Sequence, residues 1–139
     1  ENDGVSPVYV AAAMGHVRAI ENLVKHGATI DQVANDDTTP IMIAARHGHV
    51  GAIDTLVTYG ADVKQAHKTG TALVFMAAQT GQLGAIKTLV KHGADVNQAN
   101  NDGATPVYIA AQNGKVAVID TLAQHGANVN QANKNGATP

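Results

Sequence analysis

Cysteine and tryptophan are absent from the 139 residues, phenylalanine occurs once, and aromatic rings make up only 3% of the chain. Without cysteine there is no disulfide, no thiolate metal site and no cysteine nucleophile. This lack fits a reducing compartment, so a cytoplasmic location is the expectation. With so few rings the core must be filled by Ala, Val, Ile and Leu, which suits thin, closely packed layers better than one broad centre. No apolar run approaches the roughly 18 to 20 residues of a membrane-spanning helix, and no signal peptide is evident. Charge of one sign is lacking too: nine basic against eleven acidic residues leave a formal net charge of −2. That balance gives no electrostatic reason to expect nucleic acid or an anionic membrane as partner. Serine appears once, as Ser6, and no nucleophile–base set is present, so the chain does not read as an enzyme.

What is present is periodic. Pro7, Pro40, Pro106 and Pro139 fall on a step of 33 residues, with Leu73 at the position that breaks the series. Gly15, Gly48, Gly81 and Gly114 keep the same step, as do the pairs Ala11-Ala12, Ala44-Ala45, Ala77-Ala78 and Ala110-Ala111. The chain reads as one domain of four units, 1–33, 34–66, 67–99 and 100–132, with a partial fifth at 133–139. It begins at Glu1 and ends on Asn135-Gly136-Ala137-Thr138-Pro139, a turn, a cap and a first helical proline. A piece of a longer array is therefore expected.

Within the fourth unit, Asp102-Gly103 reads as a turn, Thr105 as an N-cap and Pro106 as the first helical residue. A short helix through Val107–Ala111 stops near Gly114, and a second carries Val116, Ile119 and Leu122 on one stripe. Ser6 and Thr39 fill the cap slot of the first two units. Helices of eight to ten residues are unstable alone, because nucleation is not recovered below about 12 to 15 residues. Each pair must bury its stripe against its neighbours, so Val17/Ile20/Leu23, Val50/Ile53/Leu56, Leu83/Ile86/Leu89 and Val116/Ile119/Leu122 are expected to form one row. The predicted fold is an all-α solenoid of helix-turn-helix units joined by hairpin-like loops. The third unit has Ala72-Leu73 in place of the cap and proline, and Gly51 and Gly84 sit early in second helices. A cap is worth about 1 kcal/mol and an interior glycine costs roughly 0.8–1 kcal/mol against alanine, so the middle of the array is expected to be its softest part.

These residues resemble the ankyrin repeat, whose motif runs D-G-x-T-P-L-H-x-A-A-x-x-G-H, then an apolar helix, then G-A-D-V-N. The chain shows "DGVSPVYVAAAMGH", "DDTTPIMIAARHGH", "TGTALVFMAAQTGQ" and "DGATPVYIAAQNGK" in register. The motif histidine is replaced by Tyr9, Met42, Phe75 and Tyr108. Its usual bond to the capping hydroxyl is lost as such, with packing by larger side chains as the expected compensation. The resemblance implies a protein-interaction module whose partner lies in a concave groove lined by turn tips and first-helix ends. Here those slots are Asp3, Val5, Asp36, Thr38, Thr69, Thr71, Asp102 and Ala104 at the tips. At the helix ends they are Ala13, Met14, Arg46, His47, Gln79, Thr80, Gln112 and Asn113. The groove reads as polar and mostly uncharged, with a cationic spot at Arg46 and His47, an apolar corner at Val5, Ala13 and Met14, and no Tyr or Trp anchor. The resemblance also implies that Asn97 and Asn130 occupy a slot open to asparaginyl hydroxylation in eukaryotic members. A side chain bonding its own loop backbone is the plainer reading there.

The remaining candidates read as structural. His26, His92 and His125 precede the glycine that ends each second helix, where imidazole can meet the terminal carbonyls. Equivalent side chains on neighbouring units lie too far apart to share an ion held by bonds of about 2 Å. His47 and His49 flank a turn glycine; two imidazoles fall short of a closed metal site, and His47 reads as partner contact or plain surface. Asp36-Asp37 reads as turn chemistry. No metal or cofactor is expected, and the chain is expected to be a monomer. The competing function is a spacer array that positions another domain, supported by the near-duplicate segments "HGADVNQANNDGATP" and "HGANVNQANKNGATP".

Overall fold

The computed structural model describes residues 4–134. Among them run eight helices: α1 (Pro7–Met14), α2 (Val17–Lys25), α3 (Pro40–His47), α4 (Val50–Thr58), α5 (Leu73–Gln79), α6 (Leu83–Lys91), α7 (Pro106–Gln112) and α8 (Val116–Gln124). The starts are set by capping. The Ser6, Thr39 and Thr105 hydroxyls accept from the backbone N–H groups of Tyr9, Met42 and Tyr108, with proline next in line. Ala72 makes no such bond. At the motif-histidine slot the loss is partly made good: the Thr39 N–H donates to Met42 Sδ at 3.5 Å, and Met42 and Phe75 are buried. First helices end at glycines in the left-handed region, such as Gly15 at φ 72° and Gly48 at φ 74°, which reverse the chain without a Cβ penalty.

First helices pack on first helices (α1 on α3, α3 on α5, α5 on α7), second helices on second helices, and each pair on itself. The core runs along the seam between the two rows. Ile20, Ile53 and Ile86 are fully buried, as are Leu56, Leu89 and Leu122, with Ala12, Ala44, Ala77 and Ala110 letting the rows close up. The expected stripe is thus deeper in its second and third members than in its first: Val17 and Val50 are half-buried and Val116 is exposed. Leu23 and Ile119, in the first and last pairs, are also only partly covered.

Loops between units return as tight tips. The Ala34, His67 and Asn100 N–H groups donate to the carbonyls of Thr38, Thr71 and Ala104, each at 2.9 Å. Gly70 and Gly103 turn these tips at φ 79° and 78°, and Asp37 takes the same left-handed conformation at φ 64° without a glycine. Among the described residues no helix is long and apolar enough to cross a membrane.

Candidate functional site

First-helix ends and loop tips carry the sequence-predicted residues, which divide there into three groups. Thr38 is a correction: it is 2% exposed and lies under its tip. Its N–H and hydroxyl instead serve Asp36, whose carboxyl is held below the usual range chiefly by the Thr38 hydroxyl. A second group joins units to one another. The Thr80 hydroxyl donates to the Arg46 carbonyl at 2.8 Å, and the Asn113 amide donates to the Gln79 carbonyl at 3.4 Å. His49 completes the set, its Nε2–H donating to the Ala13 carbonyl at 3.0 Å. At the tips, His67 Nε2–H donates to the Asp36 carbonyl at 2.8 Å, and its Nδ1 meets the Thr69 hydroxyl, itself bonded to Thr71. Asp102 accepts from the Lys134 N–H through its carbonyl. These atoms hold neighbouring units in register.

The third group faces solvent. Val5, Met14, Asp36, His47, Gln79, Asp102 and Gln112 are exposed, while Ala13, Arg46 and Ala104 are half-buried. Among the described residues nothing accepts a hydrogen bond from the side chains of Arg46, Gln79 or Gln112. Asp3 lies outside the described residues.

Two open hollows lie among these first-helix and tip residues. One, of about 480 Å³, is lined by Val5, Tyr9, Ala34, Asn35 and Asp36. The other, of about 400 Å³, includes Phe75, Asp102, Tyr108 and Gln112. Tyr9 and Tyr108 line these hollows and lie outside the set of residues expected from sequence. Both stand at the motif-histidine slot, in the first and last helix pairs. Burial pushes the Tyr9 phenol above its ordinary pKa, Asp36 adds to the rise, and Arg46 opposes it. The Tyr108 hydroxyl accepts from the Asn133 amide at 2.9 Å.

Other sequence expectations change as well. The Asn97 side chain bonds the next unit rather than its own loop: its Oδ1 accepts from the Asn128 N–H at 2.8 Å and its amide donates to the Gly126 carbonyl at 3.4 Å, while only its backbone N–H stays in the loop, donating to Asp95 Oδ1. Asn130 is exposed, and its own N–H bonds Asn128. His92 does not cap its helix with its ring; it reaches back to Asp54 of the preceding pair at 2.7 Å. Lys68 lies 2.8 Å from Asp37, which raises the lysine's pKa. A third hollow opens on the second-helix side, among Arg18, Glu21, Lys25 and Tyr59. Among the described residues no group of three or more His, Asp or Glu side chains could hold a metal ion.

A family model described as ankyrin repeats (3 copies) matches residues 1–67 and 63–133. No curated protein matches the chain.

Proposed function

The chain belongs to the ankyrin-repeat family, and from that premise we propose a non-catalytic module that binds a protein partner through its concave face. The family is generally one of protein–protein interaction, which supports the class of function. The observation that carries the face is the division of labour among the variable slots. Thr80 and Asn113 are engaged between units, whereas the side chains of Arg46, Gln79 and Gln112 make no hydrogen bond among the described residues, and Gln112 lines the hollow that holds Tyr108. The contact set is therefore Val5, Met14, Asp36, Arg46, His47, Gln79, Asp102 and Gln112, together with Tyr9 and Tyr108. Partly buried aromatic rings are typical binding anchors.

The spacer reading draws on one observation: side chains at several variable slots lock adjacent units together, as a positioning rod requires. Affinity capture from lysate separates the two. A groove variant (Arg46→Ala, Gln79→Ala, Gln112→Ala) is compared with a second-helix variant (Arg18→Ala, Lys25→Ala), both checked for native helicity. The groove variant is expected to lose a protein that the wild type and the second-helix variant retain. Equal capture by all three overturns the concave site.

A further inference from the structure

Arg46, Gln79 and Gln112 occupy one slot in three successive first helices, at or beside the C-terminal end of each. The main chain beneath two of them is pinned, because the Arg46 and Gln79 carbonyls accept from Thr80 and Asn113 of the next pair. The result is a ladder of donors on fixed rungs. Packed helices stand about 8–10 Å apart, so the rungs follow at that step. A polyproline II segment has three residues per turn and rises about 9.3 Å per turn. It shows the same face at each step of the ladder. A β-strand covers the distance in three residues too, but its side chains alternate with period two, so successive rungs would meet opposite faces.

Chemistry agrees with the spacing. A proline-rich backbone offers carbonyl acceptors and no N–H donors where proline stands. Opposite it, the ladder presents a guanidinium and two carboxamides, so positive N–H groups meet negative carbonyl oxygens. Rings frame the two ends of the ladder: Tyr9 within the electrostatic reach of Arg46, and Tyr108 lining one hollow with Gln112. Aromatic-lined grooves suit the flat faces of proline rings.

We propose that the concave face takes a proline-rich segment of a protein partner in the polyproline II conformation, laid across the first helices. The segment's carbonyls, one per turn, accept from Arg46, Gln79 and Gln112. This rests on the groove reading above and names the partner's chemistry.

The test is titration of fluorescein-labelled decaproline into the 139-residue chain, followed by anisotropy, beside a length-matched Gly-Ser peptide. Saturable binding of decaproline and none of the Gly-Ser peptide is expected. The variant Gln79→Glu/Gln112→Glu keeps size and exposure but removes donors, so decaproline affinity falls by about tenfold or more, with unchanged helicity. Arg18→Ala/Lys25→Ala leaves it unaltered. Absence of saturable decaproline binding, equal binding of the Gly-Ser peptide, or undiminished affinity in the double Glu variant overturns the proposal. If decaproline fails while the groove variant still loses its protein in lysate capture, the ligand conformation is wrong and the groove stands. If both fail, the groove reading falls with it.

Discussion

Burial of the Tyr9 ring and the nearby Asp36 carboxylate both favour the neutral phenol, and Arg46 pulls the other way. In an ultraviolet titration, the ionisation lost in Tyr9→Phe should lie above the ordinary 10.0. Asp36→Asn should bring it down and Arg46→Ala should send it higher. Because the folded value is raised, the contribution to stability is full below the unfolded phenol's pKa and disappears as pH rises through the folded one. An unchanged step in both charge variants would mean that neither group acts on the phenol. The residue scale is also where the sequence was least legible. Thr38 and Thr71 share a slot, yet Thr38 is buried while Thr71 is half-buried and bonded to Thr69. Identity and period put both at a tip; only the packing above each tip decides which hydroxyl meets solvent.

Gly51 and Gly84 show how one element's defect is another's fit. A Cβ at Gly51 would stand 2.9 Å from Val17 Cγ2, and one at Gly84 would stand 3.1 Å from Val50 Cγ2. Glycine therefore lets a second helix approach the β-branched valine that opens the preceding one, offsetting its propensity cost of roughly 0.8–1 kcal/mol. The next pair along follows a matching rule, with Ala117 in the glycine slot after Leu83, which is not branched at Cβ. Gly84→Ala alone is expected to be neutral to destabilising by about 1 kcal/mol, since the helix gain meets a clash. In a Val50→Leu background the same change should stabilise by about 0.5–1 kcal/mol. Urea denaturation of the four proteins gives the coupling, and additive effects would refute the close-approach explanation. Caps and first prolines, by contrast, were legible at once, because they act within three residues of their own position.

Across the whole molecule, the middle of the stack is the best covered. Leu73 through Ala78 are all buried, as are Ala85, Ile86 and Leu89, whereas Val10, Met14 and Val116 are 48%, 60% and 68% exposed. The cap missing at Ala72 is worth about 1 kcal/mol, and complete burial of a leucine such as Leu73 contributes about 1.5–3 kcal/mol. Burial of the middle pairs thus argues for a firm middle, against the soft one expected from sequence. Native-state hydrogen exchange should protect 73–91 over α1 and α8 by more than about 1 kcal/mol of opening free energy; faster exchange in the middle would restore the sequence expectation. The sequence by itself determined the 33-residue period, the helix starts, the turns and the apolar stripe, since each arises from contacts a few residues apart and repeats with the chain. Tertiary structure alone decided that Asn97, Thr80 and Asn113 bond the neighbouring pair, that Tyr9 and Tyr108 each line an open hollow, and that two glycines are seats for valines. Those outcomes depend on how far each helix pair is shifted and turned against the next, a relation between residues about thirty apart that no local pattern carries.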